Sequence, residues 1–193
     1  MLHRPRTSGS RARWQVESNG ASLIEALVSI AILTAVAAGA AHLFVWARRA
    51  TWTAGSSSIA VTLAIQKMEQ LQSLAWTSNR EGNAVSDTTT DLSTDPRQSG
   101  GGGVMASPGS SLSENTPGFV DYLDAGGRWR GTGTVPPDGS AFVRRWSIKP
   151  LPTDPQDTIV LTVLVIPLAH AVAAERPVNR GARLTTVRTR VAP

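Results

Sequence analysis

In this sequence of 193 residues, Glu25 is the side chain that most clearly requires a partner of opposite charge. It immediately precedes a run of 22 residues, 26–47, that contains no Asp, Glu, Lys or Arg. A charged side chain at the centre of a bilayer costs about 2.5–3.5 kcal/mol on insertion scales, so such groups usually pair with an opposite charge. The sequence therefore predicts that Glu25 neutralises a cation and that it is not an acid–base catalyst.

Other arrangements of reactive side chains are missing from the sequence. The absence of Cys excludes a disulfide framework, a thiolate zinc site and a cysteine nucleophile. The three histidines, His3, His42 and His170, are far apart, and no Ser-His-Asp spacing or acidic pair is present. The four glycines at 100–103 follow no predicted strand and precede no Lys-Ser/Thr, so they are not a phosphate loop. We therefore expect a protein that is not an enzyme and has no metal or cofactor.

The element that must carry Glu25 is a long apolar helix. At a rise of about 1.5 Å per residue, a helix of 22 residues crosses the hydrocarbon core of about 30 Å. Three interpretations are open: a buried helix of a soluble protein, a secretory signal peptide removed near residues 37–41, and a helix that stays in the membrane or in an equally apolar assembly.

Charge is concentrated at the N-terminus. The net charge is +5, but residues 1–20 hold four Arg and one acidic residue, Glu17. The remaining residues carry 15 basic and 13 acidic side chains. This near balance does not indicate a nucleic-acid-binding body, because most of the net positive charge belongs to residues 1–20.

The residues around Glu25 resemble the processing signal of type IV pilins and their relatives. The segment 20–25 reads Gly-Ala-Ser-Leu-Ile-Glu and is followed by the apolar run. The resemblance implies that a prepilin peptidase cuts between Gly20 and Ala21, removing a basic leader at 1–20. It also implies that the same enzyme methylates the new amine of Ala21. Glu25 matches the family's glutamate at the fifth mature position.

A cut at this place creates the cation that Glu25 needs. The new α-ammonium of Ala21 has an ordinary pKa of about 8, and the helix start adds partial positive charge. Glu25 lies one helical turn further along and can pair with its own ammonium or with that of an adjacent subunit. In an apolar bundle the pairing removes two unfavourable buried charges. We therefore assign Glu25 a role in assembly.

The remaining sequence predicts an α+β fold of pilin-like layout. Residues 21–47 form the transmembrane or filament-core half of the helix, and 48–76 form an amphipathic half. In that second half, apolar or small residues such as Val61, Ile65 and Met68 form one face, while Lys67 faces water or a sheet edge. Residues 77–118, rich in Gly, Ser and Thr, are expected to be a flexible connector. Residues 119–193 form a small antiparallel β domain on which the helix packs.

Alternating residues in the last third predict the strands. Phe142, Arg144, Trp146 and Ile148 are expected on one side of a strand, and Pro150, Pro152 and Pro155 in a loop that joins no central strand. The predicted strands are 119–123, 128–130, 141–149, 158–166 and 184–191. Four arginines of this region have two interpretations, solvated strand faces or a DNA-contacting patch: Arg128, Arg130, Arg144 and Arg145.

The resemblance implies a structural subunit, a minor pilin, in a type IV pilus-like filament. The alternatives are a type II secretion pseudopilin, a DNA-uptake receptor pilin, and a simple membrane-anchored or secreted β domain. The implied partners are the prepilin peptidase and methylase, other pilin or pseudopilin subunits, an inner-membrane assembly platform, membrane lipid before assembly, and DNA for the receptor alternative. The implied location is a single pass of the inner membrane with the C-terminal domain outside the cytoplasm, and then a pilus or pseudopilus.

Overall fold

The structure is a computed structural model, and it describes residues 22–171 and 181–190. The chain divides into two compact units, one ending at Arg48 and the other beginning at Arg49. The predicted leader and the predicted cut between Gly20 and Ala21 lie outside the described residues. The elements in chain order are α1 (Leu23–Gln72), β1 (Trp76–Ser78), β2 (Ala84–Ser86), β3 (Thr90–Asp91), β4 (Gln98–Ser99), β5 (Val120–Leu123), β6 (Trp129–Gly131), β7 (Phe142–Leu151), β8 (Asp154–Pro167), α2 (Leu168–Ala171) and β9 (Ala182–Thr189).

The long helix α1 has 50 residues and begins where a serine can cap it. The amide of Glu25 donates a hydrogen bond to the carbonyl oxygen of Ser22 at 2.9 Å and another to its hydroxyl at 3.3 Å. A serine at this position satisfies amides that the first turn would otherwise leave unpaired. Within the apolar run, the Thr34 hydroxyl donates to the Ile30 carbonyl at 2.7 Å, so its polar group is paired within the helix.

In the second unit, α1 packs one face on a β-sheet. Its buried apolar residues recur at the spacing of a single helix face, and they are Ala60, Leu63, Ala64, Met68 and Leu71. Met68 is buried as predicted, whereas Val61 and Ile65, predicted on the same face, remain 42% and 45% exposed. The sequence predicts a helix to about residue 76, but α1 ends at Gln72 because Trp76 already starts β1.

The sheet has five strands in the order β6-β5-β7-β8-β9, and all neighbours are antiparallel. A single long apolar helix followed by this small antiparallel sheet confirms the predicted α+β class. Phe142, Trp146 and Ile148 lie in the core shared with α1, as the alternation predicts, while Val143 belongs to a separate cluster with Val120, Tyr122 and Ile166. The alternation of side chains along β7 therefore determines which face of the sheet packs against α1.

The proline-rich stretch is more ordered than expected. Pro152 lies in the turn between β7 and β8, but Pro150 and Pro155 lie inside these strands, so the prediction of a loop is wrong for both. Pro150 faces Ile159 of β8, beyond the four residues of β7 that pair with β5. Its missing N–H therefore removes no ladder bond to β5, which is the condition under which strands accept proline.

Residues 77–118, predicted to be a flexible connector, contain short strands and buried core residues and are therefore not structureless. They contribute to two small antiparallel sheets, β1-β2 and β3-β4. Leu92 and Val104 are buried in the main core, and the indole N–H of Trp129 donates to the Ser93 carbonyl at 2.9 Å. The segment is held by scattered contacts with distant residues, so it shows no sequence periodicity.

Arg190 attaches the start of this segment to the end of the chain. Its guanidinium lies 3.6 Å from the ring centroid of Trp76 and donates to the carbonyl oxygens of Thr77 and Val85 at 3.1 and 3.0 Å. It also donates to the Gln156 carbonyl at 3.0 Å. Because one planar guanidinium has donors in several directions, Arg190 joins the β1-β2 sheet to the turn region of β8.

Candidate functional site

The N-terminal part of α1 presents an extensive apolar surface. Twelve large side chains between residues 23 and 46 are 49–80% exposed, namely Leu23, Ile24, Leu27, Val28, Ile30, Ile32, Leu33, Val36, Leu43, Phe44, Val45 and Trp46. By length and composition, this helix can cross a membrane. Soluble monomers rarely expose apolar patches larger than a few hundred Å², so such a surface marks contact with lipid or protein.

Glu25 is the acidic residue in the first turn of this helix. Its position within the first turn places its carboxylate near the unsatisfied backbone N–H groups, where negative charge is favourable. Gly20 and Ala21, between which the cut is predicted, lie outside the described residues. The described site thus consists of one carboxylate in the first turn of α1, beside its exposed apolar side chains.

A second charged group lies inside the core of the second unit, between α1 and the sheet. Lys67, Asp121 and Arg144 are 1%, 0% and 3% exposed. Lys67 Nζ lies 2.8 Å from Asp121 Oδ2, and the Arg144 Nε and Nη2 atoms lie 2.8 Å from Asp121 Oδ1 and Oδ2. The arginine contact is bidentate, which is the strongest geometry for a guanidinium–carboxylate pair.

The remaining donors of this cluster are also paired. Lys67 Nζ donates to the Leu92 carbonyl at 2.6 Å and lies 4.4 Å from the ring centroid of Trp146. Arg144 Nη1 donates to the Leu63 carbonyl of α1 at 3.1 Å. The cluster therefore connects α1, β5, β7 and the segment that contains Leu92 through buried charge-assisted hydrogen bonds. It is closed to solvent, so it serves as an anchor and offers no access to a substrate.

Two sequence interpretations fail here. The sequence predicts that Lys67 faces water or a sheet edge and that Arg144 faces water or DNA, but both are buried. The physical reason is that Asp121 lies directly opposite Arg144 in the β5-β7 register, and its carboxylate gives both cations a partner. One signal is visible in the sequence: Asp121 interrupts an otherwise apolar strand, and Arg144 stands between Phe142 and Trp146 on the apolar side of β7.

The other three arginines also differ in their surroundings. Arg145 is held by Asn115, whose Oδ1 accepts bonds from its Nε and Nη2 at 3.0 and 2.7 Å. Arg128 and Arg130 are exposed. The proposed DNA-contacting patch therefore does not exist as a group of four, because Arg144 faces the core and Arg145 is held by neighbouring side-chain and backbone groups.

The cluster holds two cations and one anion, and Lys67 is almost fully buried within it. Burial lowers the pKa of Lys67 to about 8, while Asp121 acts in the opposite direction and Arg144 reinforces the decrease. The unfolded chain, with an ordinary lysine, therefore binds more protons than the folded chain between about pH 8 and pH 10.5. The contribution of Lys67 to stability therefore rises with pH across that interval.

We predict that Lys67→Met removes this pH dependence. The difference in unfolding free energy, wild type minus variant, is expected to rise by about 2 to 3 kcal/mol between about pH 7 and pH 10. Urea unfolding of the full chain in detergent, followed by tryptophan fluorescence at both pH values, measures it. Tyr122, whose pKa burial raises, is present in both proteins and cancels in the difference. A difference that stays constant would contradict the buried, charged state of Lys67.

The comparisons with known proteins assign no relative to this chain. No family model, no curated protein and no solved structure matches it.

Proposed function

We propose that this chain is a structural subunit, a minor pilin, of a type IV pilus-like filament. In this proposal a prepilin peptidase cuts between Gly20 and Ala21 and methylates the amine of Ala21. The observation that carries the proposal is the position of Glu25 in the first turn of an exposed apolar helix, five residues after Gly20. The pilin-like character of the α+β layout belongs to the same proposal.

The exposed apolar helix supports two successive environments. Before assembly its twelve large apolar side chains lie in membrane lipid, and after assembly they pack against the same region of other subunits. Transfer between two apolar surroundings changes little hydrophobic free energy, so it requires no large driving force. Glu25 becomes favourable in the second environment because it meets the ammonium of Ala21 there.

The location and partners follow from this assembly route. The subunit passes the inner membrane once with its β domain outside the cytoplasm, and it then enters a pilus or pseudopilus. Its partners are the prepilin peptidase, an inner-membrane assembly platform and other subunits. It acts as a structural protein and not as an enzyme.

Two alternatives use the same helix, and a third loses support. A type II secretion pseudopilin would have the same processing and the same Glu25 pairing. The two functions would differ in the assembly system that the subunit joins and not in the chemistry of this chain. A membrane-anchored or secreted β domain needs the apolar helix but has no use for Glu25. A DNA-uptake receptor loses support because Arg144 is buried against Asp121.

N-terminal sequencing of the membrane-associated protein tests the proposal. We expect the mature chain to begin at a methylated Ala21, and we expect Gly20→Val to leave a chain that begins at Met1. A start within residues 37–41 would instead indicate ordinary secretion. An unprocessed wild-type chain in cells that possess the peptidase would overturn the proposed function.

A further inference from the structure

Strand β9 forms one edge of the five-stranded sheet. Its eight residues pair with β8 in one uninterrupted register, from Thr158 opposite Thr189 to Val165 opposite Ala182. The other edge strand, β6, has three residues, and the register shifts where it pairs with β5. Proteins usually shorten, bulge or otherwise protect an edge strand, because an open edge accepts another strand. β9 is neither short nor bulged, and it contains no proline.

The outer edge of β9 carries the backbone groups of alternate residues. The amide of Arg190 donates to the Asp157 carbonyl of β8 at 2.7 Å, so the groups of Arg190 point to β8 and those of the preceding residue point away. Continuing this alternation, the groups that point away from β8 are those of Arg183, Thr185, Val187 and Thr189. No backbone hydrogen bond from the described residues reaches them. The edge therefore presents N–H and C=O groups to an added strand.

The side chains of the same four residues are exposed, and they project from one face of the sheet. Val187 is 58% exposed beside Val160 of β8, and the Thr185 hydroxyl lies 3.3 Å from that of Thr162. Arg183 forms no salt bridge with the part of the chain that the structure describes. Each open backbone position thus carries a side chain that can contact the residue opposite it in an added strand.

The charge of this edge is positive, and two of its arginines are engaged within the chain. Arg188 donates to the Leu71 carbonyl of α1 at 3.4 Å, and the Arg190 guanidinium lies 3.6 Å from the ring centroid of Trp76. Arg183 is the arginine of this edge that remains available to a partner. β9 contains no acidic residue that could neutralise it. A strand added here is therefore favoured when it brings a carboxylate.

We propose that an extended acidic segment of a different protein adds to β9 as a further strand, antiparallel like every other neighbour in this sheet. The segment has Asp or Glu opposite Arg183. Four residues earlier in its own chain it has Val or Ile, which packs beside Val187. This contact goes beyond the proposed function, because it depends neither on processing after Gly20 nor on entry into a filament.

The charges of the sheet argue against a second copy of this chain as the occupant. Both of its edge strands contain arginine and no acidic residue, with Arg183 and Arg188 in β9 and Arg130 in β6. Joining two such edges would bring cations together and would supply no carboxylate for Arg183. The chemistry of the edge therefore identifies a different protein as the partner.

Binding of a labelled peptide to the full chain in detergent, measured by fluorescence anisotropy, tests the contact. The probe is acetyl-Thr-Ser-Val-Thr-Thr-Ser-Glu-amide, which in antiparallel pairing places its Val opposite Val187 and its Glu opposite Arg183. Two N-methylated versions separate strand addition from simple charge attraction. One carries N-methyl groups on the Val and the third Thr, whose N–H groups point to β9, and the other on the second Thr and second Ser, whose N–H groups point away.

The two N-methylated peptides should differ although their charge is the same. We expect the first to bind at least about tenfold more weakly than the parent peptide and the second to bind within about threefold of it. If both bind like the parent, or both fail to bind, the peptide does not pair with the edge of β9 and the proposal is overturned.

Charge reversal provides a second measurement that leaves the backbone of β9 unchanged. Arg183→Glu should reduce the affinity for the parent peptide about fivefold, and a peptide with Lys in place of Glu should restore it to within about twofold. Arg80→Glu, at an exposed arginine near the β1-β2 turn, should leave the affinity for the parent peptide unchanged. Failure of the Lys peptide to restore binding would contradict the contact with Arg183.

Val187→Pro closes the edge itself. Proline at this position removes an N–H that points away from β8, so the ladder between β8 and β9 keeps its hydrogen bonds. The variant should keep the near-ultraviolet circular dichroism of the wild type and bind the parent peptide at least about tenfold more weakly. Unchanged binding by a folded Val187→Pro variant would overturn the proposal.

Sedimentation of the full chain in detergent tests for the other occupant. We expect the wild type and the Val187→Pro variant to have the same mass. A wild type that is dimeric where the variant is monomeric would show that a second copy covers the edge, and it would overturn the proposal. Peptide binding by chains that still begin at Met1 would support the contact, although it would count against the proposed processing.

Discussion

Replacing Asp121 with Asn is expected to lower the free energy of unfolding by about 3 to 5 kcal/mol. The side chains have nearly the same shape, so the change removes charge and little volume. Arg144 would then be a buried cation without an anion, and Lys67 would lose the carboxylate that raises its pKa and keeps it charged. Urea unfolding of the full chain in detergent, followed by tryptophan fluorescence, measures the loss.

Asp138→Asn is the matched control for this prediction. Asp138 is exposed and forms no salt bridge with the described residues, so the same chemical change should alter stability by less than about 0.5 kcal/mol. If the Asp121→Asn variant unfolds within about 1 kcal/mol of the wild type, the buried cluster does not hold α1 to the sheet as described.

Replacing Glu25 with Gln should reduce incorporation into filaments at least about tenfold, because the desolvated Ala21 ammonium loses its counter-ion. Processing after Gly20 should continue, since the change leaves the cut site intact. The measurement compares the amount of mature chain in sheared filaments with that in membranes, using an antibody against the β domain.

Glu81→Gln tests whether the effect is specific to the helix start. Glu81 is an exposed glutamate near the β1-β2 turn, and its replacement should leave incorporation unchanged. Equal incorporation of the Glu25→Gln variant and the wild type would remove Glu25 from the assembly mechanism. A Glu25→Gln variant that still begins at Met1 would instead show that this residue acts in processing.

The sequence predicts those parts of the fold that depend on local periodicity. The apolar run predicts α1, and the alternation around Phe142 and Trp146 predicts β7 and the face that it turns to the helix. The Lys67–Asp121–Arg144 cluster is different, because periodicity places polar residues outside and contains no information about a partner that is distant in the chain. Only the strand register brings Asp121 opposite Arg144 and beneath Lys67.

The connector shows the same limitation on a larger scale. Its strands have two or three residues, which is too short for any repeating pattern to be visible. Leu92 and Val104 become core residues through contacts supplied by other parts of the chain, and Trp129 and Arg190 hold neighbouring parts of the same segment. At the candidate site, by contrast, the sequence alone supplies the Gly20-to-Glu25 spacing on which the proposal depends.

The buried anchor between α1 and the sheet also has a mechanical consequence. A pull along the axis of α1 reaches the β domain through Lys67 on Asp121 and through Arg144 on the Leu63 carbonyl. Leu63 and Lys67 are about one helical turn apart, so both bonds would share a load on this part of the helix. In the proposed filament route, a subunit drawn from the bilayer by its helix would therefore keep the β domain packed on that helix, and weakening the anchor would let the helix separate from the sheet although the chain still connects them.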